Sequence, residues 1–280
     1  MLQERLDLGG PPRKVAIVTG GSRGLGREMA LALSDAGAEV CIAARTQAQL
    51  DATAAFIESR TGRQPLALAT NVQSSIECDG LIAKTVERFG RLDIMVNNAG
   101  IGDRRGAGSH LWDLDDTDWH DTIEVNLYST FYCSRAAARQ FKAQESGGVI
   151  VNVASGTALR GYPQSFAYGA AKAGVIALTR SFAAGLIGED VRVNCIVPGF
   201  VLQQAPETDE QKQMAASRGR FITARRLGEA WELGPLAVFL CSDASSYVTG
   251  ESFIIDGGGL AGGIAPTGYA PRFAAGGDRG

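Results

Sequence analysis

Short apolar runs alternate with longer helical patterns along most of the chain. The apolar runs lack polar alternation, as is typical of strands that are covered on both faces. They predict strands at 14–19, 39–44, 65–69, 92–96, 148–154, 191–197 and 252–255. Helical patterns separate these strands at 24–36, 47–60, 74–89, 118–143, 166–187 and 229–241. Strands that alternate with such helices indicate crossover connections, so we predict an α/β fold with a single doubly wound parallel sheet of about seven strands and helices on both faces.

The pattern changes only at the two ends of the chain. We predict an N-terminal extension at 1–13, one domain at 14–259 and a glycine-rich C-terminal tail at 260–280. The tail composition predicts irregular structure. No apolar stretch of about 18 residues is free of charge, so we expect no membrane span and a cytoplasmic protein.

Composition excludes several classes of protein. A net charge of −3 gives no electrostatic reason to expect a nucleic-acid partner. Arginines 218, 220, 225 and 226 are better explained by a solvated or ligand-facing loop than by a nucleic-acid patch. The five cysteines are widely spaced without a C-x-x-C pair, and the two histidines lack ligand spacing, so we predict neither a disulfide framework nor a metal site.

A glycine-rich loop follows the first predicted strand and begins the first long helix. It reads Gly20-Gly21-Ser22-Arg23-Gly24-Leu25-Gly26. Glycines let backbone amides approach a pyrophosphate, and the helix N-terminus favours negative charge, so the loop predicts a Rossmann-type dinucleotide site. The same segment formally matches the G-x-S-x-G motif of hydrolases. That reading is disfavoured because no histidine follows His120.

The end of the second strand predicts which dinucleotide binds. An NAD site usually has an acidic residue here for the ribose 2′-hydroxyl, but Ala44 is followed by Arg45 and no carboxylate lies between Val40 and Leu50. Arginine binds a 2′-phosphate through charge-assisted hydrogen bonds, and Arg23 is a second candidate. The sequence therefore favours NADP(H).

A tyrosine and a lysine lie four residues apart on the 166–187 helix. Tyr168 and Lys172 project from one helix face, and an ammonium group lowers the pKa of a neighbouring phenol. The pair alone also fits a half-buried tyrosine beside a surface lysine. Ser155, at the end of a buried strand, and Asn126, a polar residue in an apolar helix segment, strengthen the catalytic interpretation. A buried Asn126 must satisfy its amide, either structurally or by holding a water linked to Lys172.

Together these motifs resemble the short-chain dehydrogenase/reductase family. The resemblance covers Lys14 to Gly258 and includes the glycine loop, Asn97-Asn98-Ala99-Gly100, Pro198-Gly199 and Asp256-Gly257-Gly258. It implies a catalytic set of Asn126, Ser155, Tyr168 and Lys172. It also implies a cofactor site formed by Gly20, Ser22, Arg23, Gly24, Leu25, Gly26, Arg45, Asn71, Val72, Asn98, Ala99, Gly100, Tyr168, Lys172, Pro198, Gly199 and Val201.

The resemblance also implies a role for each group. Tyr168 would be the acid/base, Lys172 would lower its pKa and hold the nicotinamide ribose, and Ser155 would bind the substrate oxygen. Asn126 would support a proton relay through water. Two departures from the family pattern stand out: Asn71 replaces the usual aspartate near the adenine, and Gln203 replaces a threonine that contacts the carboxamide.

We therefore predict an NADP(H)-dependent enzyme that interconverts a ketone and a secondary alcohol. The alternative is a non-catalytic NADP-binding sensor. The resemblance places the substrate pocket in 101–110, 156–166 and 200–226, with a mixed lining of Leu159, Tyr162, Leu202, Met214, Phe221, Arg104, Arg105, Arg160, Arg218 and Arg220. Such a lining suits an acid or phosphate, for example a 3-oxoacyl group on acyl carrier protein or a sugar acid. The 166–187 helix is apolar on more than one face, which predicts a second packing partner. The resemblance implies that this helix and the 118–143 helix pack against their copies in a homodimer or homotetramer.

Overall fold

The computed structural model describes residues 2–102, 110–163 and 165–262, and seven of its strands form one parallel sheet. The strands are β1 (Val15–Thr19), β2 (Glu39–Ala44), β3 (Leu66–Ala69), β4 (Ile94–Asn97), β5 (Gly148–Val153), β6 (Val191–Pro198) and β9 (Ser252–Ile255). Their order is β3-β2-β1-β4-β5-β6-β9, with every neighbouring pair parallel. The predicted doubly wound α/β fold is confirmed.

Helices cover both faces of this sheet. They are α1 (Leu2–Leu6), α2 (Gly24–Asp35), α3 (Gln47–Thr61), α4 (Ser75–Phe89), α5 (Asp116–Ile123), α6 (Ser129–Gln144), α7 (Phe166–Leu186), α8 (Asp209–Gly219) and α9 (Leu233–Cys241). Within β1, Ala16 and Val18 pack toward α2, α3 and α9, whereas Ile17 packs toward α4 and α6. Since both faces of β1 are buried, its run is continuously apolar.

The predicted 118–143 helix differs from a plain α-helix. The structure begins it at Asp116 and inserts a π-helical segment, Glu124–Tyr128, between α5 and α6. Asn126 lies in that segment, and its Nδ2 donates to the carbonyl of Thr122, four residues back, at 2.9 Å. A side chain that binds a carbonyl of the preceding turn competes with the helical backbone, and such bulges are frequent at functional sites.

Four further helices and strands went unpredicted: α1, α8, β7 (Val201–Leu202) and β8 (Gly228–Glu229). Helix α8 and the short strand β7 lie in a region expected only to line a pocket, and β8, which pairs with β7 in parallel, lies just after that region. The N-terminal segment includes α1 and continues to Leu8, which is 1% exposed and whose amide donates to Ala36 at 2.8 Å. The 229–241 helix begins in α-form only at Leu233, after a short 3₁₀ turn, which places Pro235 in its first turn. Of the tail, 263–280 lies outside the described residues.

Helix α7 is the core helix behind the predicted catalytic pair. By length and apolar composition the segment Phe166–Glu189 could cross a membrane. It carries Lys172, however, a residue that is 3% exposed and whose amine donates to the carbonyl of Val153 on β5 at 2.9 Å. The length and apolar composition of α7 are therefore explained by its packing against the sheet of this domain, to which the buried lysine attaches it.

Candidate active site

The carboxyl ends of β1, β4, β5 and β6 border one cleft of about 930 Å³. Because the strands are parallel, the loops that follow them gather at the same edge of the sheet. Every residue predicted to bind the cofactor lines the cleft except Gly24, so the lining includes Gly20, Ser22, Arg23, Leu25, Gly26, Arg45, Asn71, Val72, Asn98, Ala99, Gly100, Tyr168, Lys172, Pro198, Gly199 and Val201. Ser155 lines it too, whereas Asn126 lies behind its wall.

The shape of the glycine loop requires glycine at positions 20 and 26. Gly20 has a φ of +66°, a conformation that other residues rarely adopt. A Cβ on Gly26 would lie 2.5 Å from Asn98 Nδ2 and closer still to the carbonyl oxygen of Gly20. Helix α2 can begin this near the end of β1 only with glycine at that position.

Asn98 ties the loop after β4 to the loop after β1. Its Nδ2 donates to the carbonyls of Thr19 at 2.9 Å and Gly20 at 3.3 Å. The backbone amides of Asn98 and Ala99 both donate to Thr19 Oγ1 at 3.1 Å. The side chain of Asn98 therefore holds the loop in shape.

Tyr168 and Lys172 share one face of α7 at the base of the cleft. The Lys172 amine lies 5.7 Å from the centre of the Tyr168 ring. Burial lowers the pKa of Lys172 from 10.5 to about 8. An ammonium with this pKa is mostly charged at neutral pH, so its field favours a phenolate nearby.

Ser155 ends the loop after β5 and is oriented by a neighbour that the sequence reading missed. The hydroxyl of Thr157 donates to Ser155 Oγ at 3.0 Å, and the Thr157 amide lies 3.3 Å from the same oxygen. Since the lone pairs of Ser155 Oγ accept these bonds, its own hydrogen is directed elsewhere. The sequence signal that could have identified Thr157 is a hydroxyl residue two positions after the serine that follows β5.

Asn126 holds the chain that passes over Lys172. It is fully buried; its Nδ2 donates to the carbonyl of Ile101 at 2.8 Å, and its Oδ1 accepts from the Ile101 amide at 3.2 Å. A Cβ on Gly100 would lie 2.7 Å from Asn126 Oδ1 and 3.4 Å from Lys172 Nζ. The side-chain amide of Asn126 is thus satisfied by the backbone of Ile101, which is the structural one of the two predicted possibilities. Ile101 directly follows Gly100, which lies near the Lys172 amine.

The cleft is strongly electropositive. Its cationic side chains are Arg23, Arg45, Lys172 and Arg218, and none of the lining residues that the structure describes is an aspartate or glutamate. Arg23 and Arg45 are both exposed, at the start of α2 and directly after β2. A cleft of one sign concentrates anions, which fits a phosphate-rich ligand.

The predicted substrate pocket is only partly assembled here. Leu202, Met214 and Arg218 line the cleft, whereas Leu159, Tyr162, Phe221, Arg160 and Arg220 are not among its lining residues. Arg104 and Arg105 lie outside the described residues. Gln204, Pro206, Gln211 and Ala215 line the cleft within the predicted 200–226 segment, whereas Thr46 and Gln49, at the start of α3, line it without having been predicted. Gln203 also lines the cleft and lies against Gly24, which explains why Gly24 is covered.

Metal-ligand chemistry has no assembled site in the part of the chain that the structure describes. There, no cluster of three or more histidine, cysteine, aspartate or glutamate residues could hold an ion. All five cysteines are buried and unpaired by disulfides.

Comparison with known proteins identifies relatives that match nearly the whole chain. Residues 20–259 match the family model described as Enoyl-(Acyl carrier protein) reductase. A 3-oxoacyl-[acyl-carrier-protein] reductase of Synechocystis sp. is 36% identical over 247 residues, covering 88% of this chain and 96% of the relative. A 2-dehydro-3-deoxy-D-gluconate 5-dehydrogenase of Escherichia coli is 36% identical over 256 residues, covering 89% and 96%.

A solved structure extends the likeness to three dimensions. The NADPH-dependent 3-quinuclidinone reductase from Rhodotorula rubra matches with a TM-score of 0.81 and 31% identity, over 93% of this chain and 95% of that one. The family match spans the glycine loop, the Tyr168–Lys172 pair and the last strand. This chain therefore belongs to the short-chain dehydrogenase/reductase family and is an oxidoreductase that acts on alcohol and ketone groups.

Proposed function

We propose that this protein is an NADP(H)-dependent enzyme that interconverts a ketone and a secondary alcohol, with Tyr168 as the acid/base. The observation that carries the proposal is the buried Lys172, whose amine is fixed by Val153 beside the Tyr168 ring at the base of the cleft. Burial removes the hydration of a lysine and costs free energy, so a buried lysine in a cleft indicates that its charge has a role there.

The residues of the cleft fit a nicotinamide dinucleotide. The loop that Gly26 permits exposes amides at the N-terminus of α2, a position suited to a pyrophosphate. When bound, the cofactor would supply or accept the hydride. Arg45 and Arg23 would bind a 2′-phosphate, and the missing carboxylate after β2 supports NADP(H) in preference to NAD(H).

The protein residues would handle the proton. In the reducing direction Tyr168 donates its phenolic proton to the carbonyl oxygen as hydride reaches the carbonyl carbon, so ketone, hydride and proton give the alcohol. Lys172 stabilises the resulting phenolate. Ser155, oriented by Thr157, donates a hydrogen bond to the same oxygen, and Asn126 holds the Ile101 backbone beside Lys172.

We propose a small-molecule substrate, no nucleic-acid or membrane partner, a cytoplasmic location and a homodimer or homotetramer. For the substrate, the Synechocystis relative is named as a 3-oxoacyl-[acyl-carrier-protein] reductase and the Escherichia coli relative as a 2-dehydro-3-deoxy-D-gluconate 5-dehydrogenase. Both classes carry anionic groups, which the electropositive cleft would attract.

The test is turnover of NADPH over a panel of ketones by wild type, Tyr168→Phe and Tyr162→Phe. We expect Tyr168→Phe to lose about a hundredfold or more in kcat, the low end of general acid catalysis, while it still binds NADPH. Tyr162 is the matched control, because its ring packs edge-on against Phe200 and it is not a lining residue of the cleft. Near-normal turnover by Tyr168→Phe would overturn the assignment. NADPH binding without turnover of any ketone by wild type would favour the sensor alternative.

A further inference from the structure

Helix α8 presents one stripe of side chains to the cleft. Gln211, Met214, Ala215 and Arg218 all line it, at the i, i+3, i+4 and i+7 spacing of a single helix face. The helix starts at a capping box, in which the Thr208 side chain and the Gln211 side chain satisfy each other's backbone amides. The stripe therefore belongs to a well-defined helix.

The chain after α8 is fastened to the main sheet. The Ala224 amide donates to the carbonyl of Gly257 at 2.9 Å, and Thr223 Oγ1 donates to the carbonyl of Gly258 at 2.8 Å. Arg226 makes a bidentate pair with Glu232 at 2.7 and 2.6 Å. These bonds hold the C-terminal end of α8, and hence Arg218, at a set position beside the loop that follows β9, the strand next to β6.

Arg218 is the cationic residue of the cleft for which the cofactor offers no obvious partner. Arg45 follows β2, which three strands separate from β6. At a strand spacing of about 4.8 Å, the two strand ends lie roughly 19 Å apart, so Arg218 is at the opposite end of the cleft from the proposed 2′-phosphate site. Lys172 donates to Val153 and serves Tyr168.

The guanidinium of Arg218 also differs from those of its neighbours. Arg226 pairs with Glu232, Arg225 donates to the carbonyl of Arg220, and Arg220 stacks against Phe221. Among the residues that the structure describes, the Arg218 side chain has no carboxylate or carbonyl partner. Five donors in a planar fork that faces a cleft free of described acids match a carboxylate or phosphate.

We propose that the substrate is a ketone or alcohol that carries an anionic oxygen group, either carboxylate or phosphate, and that Arg218 binds this group. Met214, one helical turn before Arg218 and about 6 Å along the axis, would contact the apolar part between the anion and the reacting carbon. The inference rests on the proposed function and defines its substrate class. Arg218 would act on substrate affinity, because it lies on α8 and takes no part in proton transfer.

Matched substrate pairs and matched variants test this directly. The pairs are oxo acids of increasing chain length with their methyl esters, and keto phosphates with their dephosphorylated forms, so the two arms separate carboxylate from phosphate. The proteins are wild type, Arg218→Gln, Arg218→Lys and the control Arg220→Gln, which alters an arginine two residues away that is not a lining residue of the cleft. The readout is kcat and KM for each substrate and for NADPH.

We expect wild type to prefer the anionic member of one pair type by about tenfold or more in kcat/KM, the scale of a hydrogen bond to a charged group. Arg218→Gln should abolish this preference by raising the KM of the anionic substrate, and Arg218→Lys should restore part of it. The KM for NADPH and the kinetic constants for the neutral substrates should be unchanged in the Arg218 variants. The Arg220→Gln protein should have the kinetic constants of wild type for every substrate. Added salt should weaken the preference.

Two outcomes would overturn the inference and leave the proposed function intact. One is equal reduction of neutral and anionic ketones by wild type. The other is a raised KM for NADPH in Arg218→Gln, which would assign Arg218 to a cofactor phosphate. Failure to reduce any member of any pair would instead contradict the proposed function, and the inference would fall with it.

Discussion

Replacing Gly26 by alanine should weaken both the fold and the cofactor site. Gly26 is in the first turn of α2, where alanine would normally be favoured over glycine by about 1 kcal/mol. The new Cβ, however, would lie 2.5 Å from Asn98 Nδ2 and closer to the Gly20 carbonyl oxygen, where ordinary contact begins near 3.4 Å. The backbone of the loop must therefore move by about 1 Å, and overpacking of this kind costs about 1–3 kcal/mol.

Gly80 supplies the matched control for this change. It too is a helical glycine, within α4, but a Cβ there would meet no atom within 4 Å. Gly80→Ala should therefore gain up to about 1 kcal/mol in the free energy of unfolding from helix propensity alone. Two substitutions of the same chemistry in two helices should thus shift stability in opposite directions.

Thermal unfolding and NADPH titration measure the two effects. For a domain of this size about 1 kcal/mol corresponds to roughly 2–4 °C in Tm, so Gly26→Ala should melt a few degrees below wild type and Gly80→Ala slightly above it. Gly26→Ala should also bind NADPH at least about tenfold more weakly, since a 1 Å displacement misplaces the amides of the loop. Gly80→Ala should bind it normally.

The reasoning is refuted if Gly26→Ala melts at or above wild type and binds NADPH with unchanged affinity. In that case the loop would have space for a Cβ at position 26, which the distances to Gly20 and Asn98 exclude. A loss of stability in Gly80→Ala as large as that in Gly26→Ala would show instead that the helical glycines matter for a reason other than steric contact.

Three further predictions concern cofactor choice, pH and assembly. Wild type should prefer NADPH to NADH by about ten- to a thousandfold in kcat/KM, and Arg45→Asp should reverse or abolish the preference; an unchanged ratio in the variant would disprove the role of Arg45. The pKa of Lys172 is about 8 in the folded protein and 10.5 when unfolded, so between these pH values the unfolded chain binds more protons and this residue makes the free energy of unfolding rise with pH. Urea unfolding between about pH 8 and pH 10.5 should show this rise in the free energy of unfolding for wild type and not for Lys172→Met. Identical pH profiles of the two proteins would count against the lowered pKa of the buried lysine. The outer face of α7 exposes Ala170, Ala173 and Ala177, and Tyr128 and Phe131 are exposed nearby at 45% and 38%, so light scattering should find a dimer or tetramer at micromolar concentration and not a monomer.

The periodicity of the chain was sufficient to predict the sheet and its helices. Continuous apolar runs such as Val15–Thr19 are typical of buried strands, and the helices between them favour parallel crossovers, so the order of elements along the chain indicates a parallel α/β sheet. The Tyr168–Lys172 spacing likewise places both side chains on one helix face without knowledge of the fold. Helix α8 was missed because its pattern is mostly polar, although the Thr208–Gln211 capping box marked its start.

The sequence by itself thus determined the fold class, the position of the glycine loop and the shared helix face of the candidate catalytic pair, all of which depend on local spacing. Only the tertiary structure decided which of several equivalent residues meet. Arg218 and Arg220 look alike along the chain, yet the helix turns only Arg218 toward the cleft. Asn126 could have held a water or the backbone, and its contacts with Ile101 arise from segments 25 residues apart. Such contacts depend on how the strands and helices pack against one another, which hydrophobic spacing along one segment does not encode.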